Sequence, residues 1–150
     1  WGTEYELKHN AFQRGVGQWL ADLGIDLIIG GHPHVVQDYE VLTAQDGRRV
    51  PVMYSLGNLI SNQRWVDSNG GIITLVDIDR ATKKVVKIDY VPVYVHKGKL
   101  QNERCNYYCI PTPDYLEGKL PFILPNDSLE NDLRLFHTNT TNRIPATPVE

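Results

Sequence analysis

The stretch Gly24-Ile25-Asp26-Leu27-Ile28-Ile29-Gly30-Gly31-His32-Pro33-His34 decides the fold class of this chain. Its aliphatic run, residues 25–29, is short, nearly continuous and rich in β-branched side chains, which is typical of a strand covered on both faces. Two glycines end the run, and two histidines follow in the next loop. Because ligands bind at the carboxyl ends of strands in open α/β sheets, this loop is the first candidate for a functional site.

An amphipathic helix is predicted immediately before this strand. One helical face carries apolar side chains that we expect to be buried, and the other carries polar ones that we expect in solvent. The apolar set is Phe12, Val16, Trp19, Leu20 and Leu23, and the polar set is Arg14, Gln18 and Asp22. Asn10 with Gln13 resembles a capping box, and Gly24 suits the left-handed residue that ends many helices. Helix, glycine and buried strand in this order indicate an α/β fold.

Two β-hairpins are predicted downstream of the histidines. The expected strand pairs are residues 35–42 with 50–55, and residues 72–78 with 85–95. The dipeptide Asp46-Gly47 between the first pair is a strong hairpin signal. Pro92 cannot donate a backbone hydrogen bond to a ladder, so its strand is expected at a sheet edge or at a bulge.

The chain divides into three segments by pattern. Residues 1–96 carry the α/β pattern, residues 97–137 read as an irregular extension packing on the sheet, and residues 138–150 read as a flexible tail. Within the extension, a short helix from Asp127 to Phe136 is expected to bury Leu129, Leu133 and Phe136 on one face.

Composition excludes several classes of protein. A chain of 150 residues that is 41% hydrophobic can form a single domain with a core. Its formal net charge of -3 disfavours nucleic acid as a partner, because phosphate binding calls for a basic face. No apolar run approaches the roughly 18 to 20 residues that cross a bilayer, and residues 1–30 lack a signal-peptide pattern. Any membrane anchor or signal is therefore expected outside this chain.

Cys105 and Cys109 are too few for a disulfide framework, and no second pair of ligands lies near them to complete a zinc site. They read as two structural thiols. One disulfide between them stays an alternative if the domain lies outside the cytoplasm.

His32 and His34 lie two residues apart on a turn, so both imidazoles can face one point above the sheet edge. Imidazole suits divalent ions such as zinc, iron and manganese. The alternative is a loop with two solvated or hydrogen-bonded histidines, and this one His-x-His pattern does not decide between them.

Three motifs together carry a resemblance to a known family. Gly31-His32-Pro33-His34 resembles the last signature of the calcineurin-like metallophosphoesterases, a loop whose two histidines contact different ions of a two-metal centre. Trp1-Gly2-Thr3-Glu4-Tyr5, the histidine stretch and Tyr54-Ser55-Leu56-Gly57-Asn58-Leu59 are similar, in order and spacing, to bacterial CapA/PgsA-like capsule and poly-γ-glutamate synthesis proteins. The resemblance covers roughly residues 1–95.

This resemblance implies an α/β fold, the C-terminal half of an αββα sandwich with a mixed β-sheet, hairpins and one N-terminal helix. It implies two divalent manganese, iron or zinc ions in the full-length protein, with His32 and His34 as metal ligands and catalytic residues. Asn58, Glu4 and Tyr5 are the expected substrate-binding residues. Because two adjacent strands would end at the same sheet edge, we expect Asn58 within about 12 Å of the imidazoles. The alternatives are that Asn58 belongs to a simple turn and that Glu4 is a solvent-facing acid.

The implied function is phosphoester hydrolysis in capsule or poly-γ-glutamate synthesis. The alternative is a non-catalytic scaffold or polymer-binding component of such a synthesis complex. Expected partners are a phosphoester or an anionic polymer and other synthase subunits. The expected location is the bacterial cell envelope, outside the cytoplasm. We expect a segment outside this chain to anchor the protein to the membrane.

The chain departs from the family pattern at its start. In that family a histidine precedes the Trp-Gly-x-Glu-Tyr motif, and a Gly-Asp motif, a bridging ligand and an Asn-His pair come earlier still. None of these occurs here. We therefore expect this fragment to be catalytically inactive.

Overall fold

The computed structural model of the chain describes residues 1–100 and 106–144. Its elements, in chain order, are α1 (Ala11–Asp22), β1 (Ile28–Ile29), β2 (Tyr39–Thr43), β3 (Arg49–Met53), β4 (Gly70–Ile78), β5 (Val85–Gly98), β6 (Asn106–Pro111), α2 (Thr112–Leu116) and α3 (Asp127–Arg143). Whether Cys105 pairs with Cys109 lies outside the described residues.

The strands form two three-stranded sheets. The first is mixed, with the order β1-β3-β2, in which β1 runs parallel and β2 antiparallel to β3. The second is antiparallel, with the order β4-β5-β6. Two isolated β-bridges lie outside these ladders. One pairs Val36 with Leu56, and the other pairs Gly57 with Gly71 of β4. The α/β prediction is confirmed as a partial sandwich with one mixed sheet and hairpins.

Both predicted hairpins form. Strands β2 and β3 pair antiparallel across the turn at Gly47, whose φ is 83°, and β4 pairs with β5. The extension is more regular than expected, because residues 106–111 form β6 and add a third strand to β5.

The expectation that Pro92 marks an edge strand is wrong, because β5 lies between β4 and β6. Pro92 is opposite Ile72, which donates its N–H to Leu56 O, away from β5. The position of the missing N–H of Pro92 therefore faces the β6 side. The ladder with β6 begins only at Val93, so the proline removes no ladder hydrogen bond.

The predicted buried face of α1 is wrong for three of its five residues, whereas Val16 is half-buried and Leu20 packs against the first sheet. Phe12, Trp19 and Leu23 are 60 to 68% exposed, and the buried residues of the helix are Gln13, Gly17 and Ala21. Small side chains let the helix approach closely, since a Cβ on Gly17 would already lie 3.3 Å from Leu42. The caps follow the prediction, with a reciprocal Asn10–Gln13 capping box and Gly24 at a φ of 101°.

Strand β1 is shorter and less covered than the sequence predicts. It comprises two residues rather than the expected five, and within the described ranges it pairs only with β3, so it is an edge strand. Ile25 is 43% exposed and Ile29 is 49% exposed. The carbonyl of Ile25 accepts a hydrogen bond from the Arg48 guanidinium at 3.2 Å instead of a ladder partner.

Helix α3 packs on the second sheet through Leu133 and Phe136, which are fully buried as predicted. The helix runs to Arg143, seven residues beyond the expected Phe136 and into the range expected to be a tail. Thr140 is buried, and Tyr90 donates to Ile144 O at 3.0 Å, so the sheet supports this last part of the helix. In the described part of the chain, no helix has the length and apolarity needed to cross a bilayer.

Candidate functional site at the histidine loop

The histidine loop lies at the carboxyl end of β1, as predicted. Gly30 continues the parallel pairing, donating its N–H to Met53 O at 2.8 Å. A Cβ on Gly30 would overlap the indole of Trp1 and the carbonyl of Tyr54. The indole N–H of Trp1 donates to that carbonyl at 2.7 Å, so the N-terminal segment packs directly beside the loop.

The two imidazoles lie close together at the surface. His32 is exposed and His34 is half-buried, with ring centroids 6.2 Å apart and a tilt of 48°. Both residues have positive φ, 102° for His32 and 62° for His34. Such conformations cost of order 1–3 kcal/mol each and persist only where surrounding contacts fix them. For His34, those contacts come from Asn58.

Asn58 fixes the orientation of the His34 ring. Its Nδ2 lies within 3.0 Å of three acceptor oxygens, on His34 (backbone), Gln63 (side chain) and Ser68 (backbone). The other amide atom is therefore the oxygen, and it accepts from Nδ1 of His34 at 3.0 Å. The predicted proximity, within about 12 Å, is confirmed.

This hydrogen bond selects one tautomer of His34. With the proton on Nδ1, the lone pair of the neutral ring lies on Nε2 and points away from Asn58. Asn58 is only 8% exposed, and protein groups engage both of its polar atoms. As the structure stands, it orients a histidine and presents no free atom to a ligand, so its expected substrate contact stays a prediction.

Glu4 and Tyr5 surround the free side of His34. Oε1 of Glu4 lies 3.9 Å from Nε2 of His34, and both side chains are partly exposed. The Tyr5 ring stacks on the His34 imidazole, with 6.0 Å between the ring centroids. The backbone N–H of Tyr5 donates to Pro33 O. The N-terminal motif and the histidine loop therefore form one cluster, and the contact of Glu4 and Tyr5 with substrate stays a prediction.

The donor chemistry of this cluster fits part of a metal site. A neutral Nε2 and a carboxylate both offer lone pairs to the same space, an arrangement that a cation between them would satisfy. Within residues 1–100 and 106–144, no three His, Cys, Asp or Glu side chains are placed to hold a metal ion together. His32, His34 and Glu4 can therefore supply some, but not all, of the ligands of a closed site.

Two buried glutamines, Gln13 and Gln37, hold the N-terminal segment by hydrogen bonds. Gln13 donates to Oε1 of Gln37 at 2.8 Å, and Gln37 donates to the carbonyls of Glu6 and Lys8. Both glutamines are at most 1% exposed. Sequence reasoning left Gln37 without a role, and the structure gives it one: it fixes the backbone that follows Glu4 and Tyr5.

A second polar network joins the same segment to the sheet. His9 contacts Asp38 through Nδ1 at 3.0 Å, and its ring stacks on Tyr54 at 4.0 Å. Tyr54 donates to Glu40, which also pairs with Arg14. Burial, followed by the Glu40 carboxylate, raises the pKa of Tyr54, so this hydroxyl stays a hydrogen-bond donor. Glu40, also left without a role by the sequence, is a structural acceptor.

The histidine cluster is an open surface, and a well-defined cavity lies elsewhere in the chain. That cavity, about 460 Å³, is lined by Asp26, Asp46, Arg48 and Lys84, among others, at the opposite end of the first sheet. Arg48 there already pairs with Asp26 and Asp46. Arg48 and its two carboxylate partners therefore stabilise the turn between β2 and β3.

Comparison with known proteins finds a family whose sequence pattern matches part of this chain. Residues 1–63, which contain the Trp1 motif, the histidine loop and Asn58, match the family described as bacterial capsule synthesis protein PGA_cap. Over this stretch the chain is similar to bacterial capsule synthesis proteins.

Two curated relatives are similar to this chain over a longer stretch. The capsule biosynthesis protein CapA of Bacillus anthracis is 31% identical over 98 residues, which are 65% of this chain and 22% of the relative. The PGA biosynthesis protein CapA of Bacillus subtilis (strain 168) is 32% identical over 98 residues, 65% of this chain and 24% of the relative. The match thus spans less than a quarter of either relative. No solved structure matches the chain.

Proposed function

We propose that the complete protein is a metal-dependent phosphoesterase of capsule synthesis, and that His32 and His34 are metal ligands in it. The observation that carries this proposal is the Asn58–His34 hydrogen bond, 3.0 Å long, which directs the Nε2 lone pair outward. Metal-ligating histidines almost always donate their other ring N–H to a fixed acceptor in this way. A merely solvated histidine needs no such partner.

The residues of this chain would contribute ligands and their orientation. His32 and His34, with Glu4 beside them, suit manganese, iron or zinc, and further ligands would come from the length of the relatives that this chain does not span. Bound divalent ions would supply an activated water and neutralise charge on the phosphoryl oxygens. Tyr5 would cover one face of His34 and limit the approach of solvent.

A cationic and aromatic surface beside the cluster favours an anionic substrate. The guanidinium of Arg64 lies 5.6 Å from the Tyr107 ring centroid, and the ammonium of Lys97 lies 5.4 Å from it. Among the described residues, neither cation has an acidic partner. Gln63, next to Arg64, contacts both Asn58 and Tyr5. A phosphoester carried on an anionic polymer would match both surfaces at once.

A second candidate is a non-catalytic component that binds the polymer or serves as a scaffold for other synthase subunits. The Arg64 and Lys97 surface favours it, because cations beside an aromatic ring can bind an anionic polymer without hydrolysis. Both candidates place the complete protein at the bacterial cell envelope, outside the cytoplasm and anchored through a segment outside this chain.

Metal content and turnover separate the two candidates. The longest available form of the protein should bind two transition-metal ions per chain and hydrolyse an aryl phosphodiester. His34→Ala should remove the activity, whereas His137→Gln, a change on α3, should leave it. Binding of no metal and no turnover in the wild type would favour the scaffold.

The 150-residue chain should behave differently from the complete protein. Catalytic zinc sites typically use three protein ligands, and neutral histidines bring no charge to offset two dications. We expect weak binding of at most one ion and no hydrolysis by this chain, measured by calorimetric titration with Mn²⁺ and Zn²⁺. Sub-micromolar binding of two ions would show that the chain already contains a complete site.

A further inference from the structure

Arg143, the last residue of α3, connects this helix to the segments that carry the candidate site. One guanidinium nitrogen donates to Val36 O at 2.7 Å, and another pairs with Asp67 at 3.0 Å. The Arg143 and Asp67 side chains are each only 13% exposed. A charge-assisted pair with so little exposure is less screened by water than the more exposed Arg134–Glu130 pair of the same helix.

The two contacts of Arg143 lie where Asn58 makes its own. Val36 follows His34 by two residues, and Asp67 immediately precedes Ser68. The Asn58 amide joins the carbonyls of His34 and Ser68. Arg143 therefore ties together, at neighbouring positions, the same two segments that Asn58 ties together at the histidine.

The backbone at Asp67 needs such support. Its φ is 72°, a left-handed conformation that is unfavourable for residues other than glycine. Its carboxylate pairs with Arg143 and lies 3.4 Å from the Asn139 amide, both on α3. If these contacts are lost, Asp67 can relax, and the Ser68 carbonyl moves with it.

We propose that α3 positions the histidine loop, with Arg143 and Asp67 as positioning residues for the Asn58–His34 hydrogen bond. This inference rests on the proposed function only where metal is concerned, because the orientation of His34 can be observed without metal. It assigns a role to a helix that begins after the family match ends at residue 63.

The test compares Arg143→Ala with Arg143→Lys and with Arg134→Ala. Arg134 lies on the exposed side of the same helix and pairs with Glu130, so it is the matched control. The first readout is the ¹⁵N chemical shifts of the two His34 ring nitrogens, measured without metal and at the same pH for every variant. The second is titration of the chain with Zn²⁺.

In Arg143→Ala, we expect a fraction of the His34 rings to carry the proton on Nε2 instead of Nδ1. We also expect the zinc affinity to fall about tenfold, the lower end of what loss of an outer-shell partner costs. Arg143→Lys should restore part of both effects, and Arg134→Ala should show neither. An unchanged tautomer and affinity in a folded Arg143→Ala chain would overturn the proposal.

A folding defect is separated by Asp67→Asn, which keeps the side-chain shape and removes the charge. It should reproduce the tautomer change in a chain whose circular dichroism is native. Loss of the folded state in both variants would show that the pair supports the whole fold, which also overturns the proposal. If the wild-type chain binds no zinc while the tautomer still responds to Arg143→Ala, the positioning role stands. The metal proposal is then decided by the metal content of the longer protein alone.

Discussion

Helices α1 and α3 contact their sheets in opposite ways. Helix α1 buries small and polar residues, Gln13, Gly17 and Ala21, and approaches the first sheet closely. Helix α3 buries large apolar side chains, Leu133 and Phe136, against the second sheet. The first contact is specified by hydrogen bonds and close backbone approach, and the second by the volume of apolar side chains. The candidate site belongs to the region of the first kind.

This difference suits the work of each region. A buried polar network is satisfied in one geometry only, so it fixes the N-terminal segment that carries Glu4 and Tyr5. An apolar core supplies stability with less directional demand. The C-terminal region can therefore stabilise the chain, while Arg143 holds α3 against Val36, just after the histidine loop.

The largest expected effect tests the apolar region. Phe136 is fully buried, packs on Tyr94 at 6.4 Å and lies against Gly70, where a Cβ would meet its ring. Phe136→Ala should lower the free energy of unfolding by about 3–5 kcal/mol, from lost transfer energy and the cavity left behind. Phe12→Ala, on the 68% exposed ring of α1, should change it by no more than about 0.5 kcal/mol. Urea denaturation measures both.

Equal losses in the two phenylalanine variants would contradict the comparison. They would show that the exposed face of α1 is covered in solution.

An intermediate effect tests the polar region. Gln13→Ala leaves Oε1 of Gln37 buried without a donor, so we expect a loss of about 1–3 kcal/mol in the free energy of unfolding. Gln18→Ala is the matched control, because Gln18 lies on the same helix and its contacts with Asp22 and Thr43 are at the surface. The loss should be clearly smaller for Gln18→Ala. A similar small loss for both would mean that water replaces Gln13 at no cost.

The two helices also separate what the sequence could predict from what it could not. The apolar spacing of Leu129, Leu133 and Phe136 predicted the buried face of α3, because there the apolar face is the packed face. In α1 the same rule selected Phe12 and Trp19, which are exposed. Periodicity identifies an apolar face but not which face meets the sheet, and Gly17 was the one signal of a close approach.

The candidate site was predicted as far as local signals reach. The loop after β1 and the proximity of Asn58 followed from strand order, since both come at strand ends. Gln63, Ser68 and Arg143 had no signal of their own. Their roles depend on contacts across the chain, up to 107 residues apart for Arg143 and Val36, which local patterns do not report.

The smallest expected effect distinguishes the two regions by their histidines. In the first region His9 has a carboxylate partner, Asp38. In the second, His96 is 3% exposed, and its Nε2 has no hydrogen-bond partner within the described residues. Burial, followed by the charge of Arg64, lowers the pKa of His96 in the folded chain.

A lowered histidine pKa makes the folded state bind fewer protons than the unfolded state in the window between the two pKa values. Stability is therefore complete above the ordinary histidine pKa of about 6.5 and falls as the pH drops from there toward the folded pKa. The free energy of unfolding, measured by urea denaturation from about pH 8 to about pH 5, should decrease less steeply in His96→Leu than in wild type. The difference should be smaller than the core effects, because each pKa unit amounts to only about 1.4 kcal/mol. An identical slope in both proteins would contradict this prediction. It would show that protonation of His96 does not lower the free energy of unfolding, as for a solvent-exposed histidine.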